Sequence, residues 1–166
     1  MGRGDPVLGF NFLVTLLDTG SDLAAVASAV GAAVLGGFSE CSGLDGTLQV
    51  EEYKEGGRND AVLKFPTRAQ WGNITLKRGV TALPGAGGLW DWYHGFVRGR
   101  GRRRDGLIVL QDEARAPVAV WQFRRGLPVK WTGPSLNAAQ NAVAVEALEI
   151  AHEGLTWVTA AAAVGG

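Results

Sequence analysis

The sequence predicts an all-β sandwich or barrel carrying one amphipathic helix. Three observations lead there: many short apolar runs with a period of two, frequent glycine between them, and a single segment with a period of 3.6. Glycine accounts for 25 of the 166 residues, about twice its usual share of ~7% and without a collagen-like repeat, so it reads as turn punctuation. Hydrophobic residues make up 46%, with 6 Trp, 6 Phe and 2 Tyr. That is enough for one core without disulfides or metal staples, and the length fits a single domain over 1–166.

The first strand is read at Phe10 to Leu17, where Phe10, Phe12, Val14 and Leu16 alternate with Asn11, Leu13, Thr15 and Leu17 and both faces lean apolar. Asp18 to Asp22 is turn chemistry. Leu23 to Leu35 is an uncharged Ala/Gly-rich stretch, too short and too interrupted for a membrane span, and is read as a surface arm within 23–37. After FSECSGL at Phe38 to Leu44, a second strand alternates Leu48 and Val50 with Gln49 and Glu51, and YKEGGRN at Tyr53 to Asn59 reads as a hairpin turn. Further strands are expected at Ala61 to Phe65, Asn73 to Lys77, Leu107 to Asp112, Val118 to Phe123 and Leu127 to Trp131.

The helix is placed by Leu89, Trp92, Tyr93, Phe96 and Val97, which share one helical face, with Asp91 in its first turn and Arg98 at its end to match the helix dipole. Ala142 to His152 fits either a strand or a helix by periodicity. The segment 157–166 is Ala/Gly-rich and reads as a loose tail.

Catalytic and metal chemistry find little support. His94 and His152 lack a second His or Cys at ligand spacing. PGAGG at Pro84 to Gly88 has no phosphate-loop Lys-Ser/Thr, and Ser39 and Ser42 in SECSG do not form a nucleophile elbow. Cys41 is the one cysteine and reads as a small buried residue of a chain folded in a reducing cytosol, since no secretory leader precedes it. Arg3-Gly4-Asp5 reads as a chance tripeptide. No cofactor is expected.

Charge gives one sharper feature. Sixteen basic residues balance sixteen acidic ones, which argues against a global field for nucleic acid or membranes. Yet Arg98, Arg100, Arg102, Arg103 and Arg104 crowd into one short run. Nucleic-acid contact, a solvated hairpin tip and a charge-complementary subunit contact are the competing readings. Asp45, Glu51, Glu52 and Glu55 are candidate acidic partners for the last.

From Phe38 onward the chain resembles the tail-tube proteins of contractile phages and of phage-tail-like extracellular injection systems. The motifs are FSECSGL, EYKEGG at Glu52 to Gly57, NITLKRG at Asn73 to Gly79, LWDW at Leu89 to Trp92, PVAVWQF at Pro117 to Phe123, PVKWTGPSLNA at Pro128 to Ala138 and VAVEALEIAHEGL at Val143 to Leu155. Phe10 to Leu17 is similar to the family's first strand. The signature positions are Phe38, Ser42, Gly43, Leu44, Gly56, Gly57, Lys77, Arg78, Gly79, Leu89, Trp92, Trp121, Pro128, Trp131, Gly133, Pro134, Glu146, His152 and Glu153. The stretch Leu23 to Leu35 looks longer than the family's first connection, and Cys41 stands where the family more often has an aliphatic residue.

The resemblance implies two packed antiparallel sheets forming a β-barrel flanked by the helix, as in tail-tube and Hcp-like proteins, with Ala142 to His152 as a strand. It implies a non-enzymatic subunit made in the bacterial cytoplasm, whose hexameric rings stack into a hollow tube of a phage tail or released particle. The implied partners are further copies of the chain, a contractile sheath, baseplate and spike proteins, tape-measure or cap proteins, and luminal cargo or DNA, with no membrane in the resting state. A ring-forming protein of a type VI system is the related alternative; a nucleic-acid-binding module using Arg98 to Arg104 is the unrelated one. Val109, Trp121, Phe123, Leu127, Val129 and Trp131 are expected to fill the barrel. Tyr53, Glu55 and Arg58 with the arginine run are expected to make subunit contacts, the segments Leu23 to Leu35 and Tyr53 to Arg58 bridging subunits or rings.

Overall fold

The computed structural model describes residues 8–9, 11–20, 37–57, 60–80 and 88–158. Nine strands and one helix follow in the order β1 (Phe12–Asp18), β2 (Glu40–Ser42), β3 (Gly46–Tyr53), β4 (Leu63–Trp71), β5 (Ile74–Gly79), α1 (Leu89–Val97), β6 (Arg104–Gln111), β7 (Pro117–Thr132), β8 (Val145–Ala151) and β9 (Gly154–Val158). The 23–35 stretch, Phe10 and Arg58 lie outside the described residues.

All pairings are antiparallel. Seven strands form one sheet in the order β1-β6-β7-β8-β5-β2, with β9 beside β7, while β3 and β4 form a separate two-stranded sheet. The 16-residue β7 makes the large sheet fold on itself. Its first half pairs with β6 and β9, its second half with β8. Between the halves the ladder slips, and Arg125 takes a left-handed backbone with φ 52°. Arg-Arg-Gly at 124–126 thus makes a bulge inside one bent strand, where the sequence reading has two strands.

The two halves of the sheet face each other across the main core. Val14, Ile108 and Phe123 from one half meet Ile74, Leu76, Leu148 and Ile150 from the other, and Leu89 and Trp92 of α1 pack into the same cluster. A second cluster of Leu107, Val109 and Val120, joined by Leu13, Leu17 and Val158, sits on the opposite face of β1, β6, β7 and β9. This accounts for the apolar lean of both faces of β1. The terminal strands β1 and β2 are not paired with one another, so the described residues form an open, folded sheet.

Several expectations are corrected. Val109 belongs to the second cluster, and Val129 is 43% exposed because the β7–β8 register shifts between Pro128 and Lys130. Val97, at the helix end, is 63% exposed, so Leu89 and Trp92 carry the burial of α1. The arginine run is the connection from α1 to β6, not a hairpin tip. Trp157 and Val158 belong to β9, a strand the sequence reading misses. The β4 strand runs past Pro66 to Trp71; among the described residues β3 is its one ladder partner, so the missing N–H of Pro66 disrupts no second ladder there.

Glycine at 106 is required by the core. A Cβ there would overlap the Phe123 ring, which is fully buried and lies across from Gly106 in the β6–β7 ladder. Gly106→Ala is expected to destabilise by about 1–3 kcal/mol through overpacking, read as a lower midpoint in urea with unchanged slope.

Candidate assembly surfaces

Three groups of side chains emerge from this framework. The first is a buried polar knot. Arg78 Nε on β5 donates to Glu146 Oε1 on β8 at 2.7 Å, and Trp131 Nε1 on β7 donates to Glu146 Oε2 at 3.0 Å. Both ion-pair side chains are nearly buried, and the Arg78 guanidinium also lies 5.9 Å from the Phe38 ring centroid. Trp90 of α1 meets Trp131 edge-on at 4.6 Å and stacks on His94 at 4.9 Å. Phe38, Arg78, Trp131 and Glu146, far apart in sequence and all among the expected signature positions, therefore form one unit that ties three strands and the segment before β2.

The remaining signature positions serve local geometry. Gly43 has φ +86° and packs where a Cβ would collide with the Asn73 carbonyl. Gly57 turns the β3–β4 hairpin with φ +102°, next to Gly56. Gly133 lies under the Trp131 ring, beside half-buried Pro134. Pro128 is buried in β7 and Leu44 packs on the core edge. Gly79 ends β5. Ser42 is exposed at the end of β2. Lys77 pairs with Glu40 at 2.9 Å on the surface, and the Trp121 ring lies 5.2 Å from that of Trp157 at a tilt of 48°. Neither ring nitrogen of His152 has a hydrogen-bond partner among the described residues; its ring lies 6.3 Å from Trp71 and 6.0 Å from Phe123.

The second group is the β3–β4 hairpin. Every residue of β4 is exposed, and so is every residue of β3 except Gln49. Val50 pairs with Pro66 and Leu48 with Ala69, whereas Tyr53 pairs with Leu63 and Glu51 with Phe65. Side-chain alternation thus puts Leu48 and Val50 on one face and Tyr53, Leu63 and Phe65 on the other. Leu48 is 58% exposed and Phe65 52%. The two strands pack chiefly on each other. Alternation places Leu48 and Val50 on one face of a strand but does not tell whether that face is covered within the chain.

The third group is basic. Arg98, Arg100 and Arg102 are exposed, and no ion pair engages them among the described residues. Arg103 and Arg104 are half-buried. Arg103 reaches Glu153 at 3.5 Å and the Arg125 carbonyl at 3.1 Å, while the Arg104 guanidinium lies 5.9 Å from the Trp92 ring centroid. Arg125, absent from the sequence expectations, shares Glu153 at 3.0 Å. Buried Asp105 accepts the backbone N–H of Arg125 at 2.8 Å. The signal for it was an acid at the head of the apolar run DGLIVL.

Cys41 is the one thiol, and burial pushes it up to about 11, with the Glu40 charge adding to the rise. At pH 8 about one molecule in a thousand then carries the thiolate, against roughly a quarter for an ordinary cysteine. Iodoacetamide is expected to leave the folded chain unlabelled at pH 8 and to label it fully in denaturant, as read by intact mass. No group of three or more His, Cys, Asp or Glu suited to a metal occurs among the described residues. Among the same residues no helix is long and apolar enough to cross a membrane.

Comparisons with known proteins place this fold among solved structures. A chain in the anti-feeding prophage baseplate is similar at 26% identity and a TM-score of 0.78, over 95% of this chain and 99% of that one. A chain in the sheath-tube complex of the PVC extracellular contractile injection system, in its extended state, reaches 25% identity and a TM-score of 0.75 over 95% and 94%. A type six secretion system protein shares the fold at 9% identity and a TM-score of 0.54, over 89% and 82%. The comparison with curated proteins finds no match. The profile of the T4-like virus tail tube protein gp19 family matches residues 9–156. With the profile spanning nearly the whole chain, this chain belongs to the T4-like virus tail tube protein gp19 family.

Proposed function

We propose that this chain is the structural subunit of a hollow tube: copies close into hexameric rings, the rings stack, and cargo or DNA passes along the lumen. The observation that carries this reading is the β3–β4 hairpin. An isolated two-stranded hairpin is marginally stable in water, and one with apolar side chains on both faces needs cover on both. Neighbouring copies supply it. Among the described residues the outer edges of β1 and β2 are unpaired, which favours the same reading, since edge strands are templates for pairing with another chain, and closure of the sheet into a barrel wall belongs to the ring rather than to the monomer.

The ring number follows the 6-fold symmetry of the anti-feeding prophage baseplate. Partners follow the settings of the relatives: a baseplate, a terminating cap and a sheath-tube complex. The subunit acts mechanically, as one domain over 1–166, in a particle that is assembled in the bacterial cytoplasm and can be released. Arg58 and the arginine run join Tyr53 and Glu55 in its subunit contacts, and 23–35 bridges rings.

The direct experiment is negative-stain electron microscopy of the purified, tag-free chain, with light scattering for its mass. Rings or stacked tubes are the expected result. A chain that stays monomeric across concentration and salt, both alone and when co-expressed with a baseplate, would refute it.

A further inference from the structure

The arginines at the start of β6 and the bulge of β7 enclose a cleft of about 370 Å³ lined by Asp18, Thr19, Arg102, Arg103 and Arg125. The cleft is open to solvent, so a side chain from outside can enter it. Its floor is fixed by polar bonds. Buried Asp105 accepts N–H groups from Arg125 at 2.8 Å and Gly20 at 3.5 Å, and Thr19 Oγ1 donates to the Arg103 carbonyl at 2.7 Å. Glu153 bridges Arg103 at 3.5 Å and Arg125 at 3.0 Å, and so orients two guanidinium groups towards one place.

Donor capacity exceeds what these bonds use. A guanidinium carries five N–H donors. In Arg125 the side-chain ion pair engages Nε, in Arg103 the bonds engage Nη1, and Arg102 is in no ion pair among the described residues. Planar donors left over in a preset pocket match a planar oxyanion, above all a carboxylate.

We propose that this cleft receives the acidic tip of the β3–β4 hairpin, Glu51, Glu52 and Glu55, from a second copy of the chain. The inference rests on the self-assembly reading above and specifies one contact within it. Glu51 and Glu55 are exposed and in no ion pair among the described residues, and Glu52 has only a surface pairing with Lys64 at 3.9 Å. Glu51, Glu52 and Glu55 stand against Lys54 at the end of β3 and the start of the turn, and the compensating bases Arg58, Lys64 and Arg68 follow later in the hairpin. The hairpin already has to leave the monomer surface to cover its apolar faces, so its tip travels with it to a neighbour. Zero net charge fits this arrangement: a chain that assembles with itself carries both signs, separated onto two surfaces. A nucleic acid would ask instead for an extended basic track without the carboxylates of Asp18 and Glu153.

Charge swapping decides the matter. Arg102→Glu with Arg125→Asn keeps a residue tolerant of the left-handed backbone at 125, and Glu51→Lys with Glu55→Lys alters only the hairpin. Each pair is expected to raise the concentration for half-assembly at least about tenfold in sedimentation velocity, because like charges then oppose each other. The four changes together should recover most of that loss. Circular dichroism checks that each variant is folded. Variants that assemble like the wild type, or a combined variant no better than the worse pair, overturn this inference while leaving the tube reading intact. A wild-type chain that never assembles, even on a baseplate, overturns both. Salt-sensitive binding of a labelled single-stranded oligonucleotide that the cleft variant loses assigns the cleft to nucleic acid and overturns the hairpin as its occupant.

Discussion

Leu48→Asp combined with Phe65→Asp is expected to give a folded monomer that forms neither rings nor tubes. The two side chains lie on opposite faces of the hairpin, 58% and 52% exposed in the single chain. Nothing in the monomer core depends on them. In an assembly each would contribute about 1.5–3 kcal/mol if fully buried, and a charge placed there adds a desolvation cost. Because every subunit carries the same defect, the loss repeats at each contact around a ring. Sedimentation velocity reads the assembly state, and thermal unfolding reads the fold. Particles of wild-type size from the double variant would show that the hairpin is not covered by a neighbour, and would remove the main support for the tube reading.

Removal of the Glu146 carboxylate is expected to give the largest loss of monomer stability from one polar side chain. Glu146 accepts from Arg78 at 2.7 Å and from Trp131 at 3.0 Å, in a site where both ion-pair side chains are nearly buried. Glu146→Ala leaves the Arg78 charge in a low-dielectric site without that acceptor, at about 3–5 kcal/mol. For a chain of this length the melting temperature should fall by roughly 6–20 °C. Glu146→Gln, which keeps an acceptor for one of the two donors, should lose less. A double change to Arg78→Met and Glu146→Met should recover part of the loss, because no buried charge then remains. A Glu146→Ala variant melting within about 2 °C of wild type would mean that water replaces the carboxylate and that the knot has little energetic weight.

Most of the secondary structure was legible because it follows from local periodicity. The helix at Leu89–Val97 carries its apolar residues at helical spacing between glycines, β5 alternates, and β1 and β6 are short apolar runs bounded by polar residues. The misreadings share one cause: turn-forming residues were used where pairing was stronger than the local signal. The strand expected at Ala61 to Phe65 runs on through Pro66 to Trp71, because β4 is paired on one side alone among the described residues. The two strands expected at Val118 to Phe123 and Leu127 to Trp131 are one, with a bulge at 124–126, because β6 and β8 hold the two halves of β7 in one path. The Ala142 to His152 ambiguity ended as strand β8, whose buried residues Glu146, Leu148 and Ile150 alternate.

The candidate surfaces were legible in composition and not in geometry. The crowding of arginines from Arg98 to Arg104 was plain, but its division was not. Arg104 turns to the Trp92 ring and Arg103 to Glu153, while Arg102 joins Arg125, a residue more than twenty positions away, to line a cleft. Such a pairing depends on where β6 and the β7 bulge meet. Likewise, Leu48 and Val50 carry the pattern of a buried strand face, and alternation cannot tell a face buried within a chain from one buried between chains.

The sequence by itself determined the class of the fold, the helix and the family, because periodicity and ordered motifs are properties of neighbouring residues. The tertiary structure alone decided that β7 serves both halves of the sheet and that Phe38, Arg78, Trp131 and Glu146 form one knot. It also decided that the β3–β4 hairpin stands clear of the body with apolar side chains on both faces. Those are long-range outcomes: they follow from register, bulges and burial, which come into being only when distant strands pair.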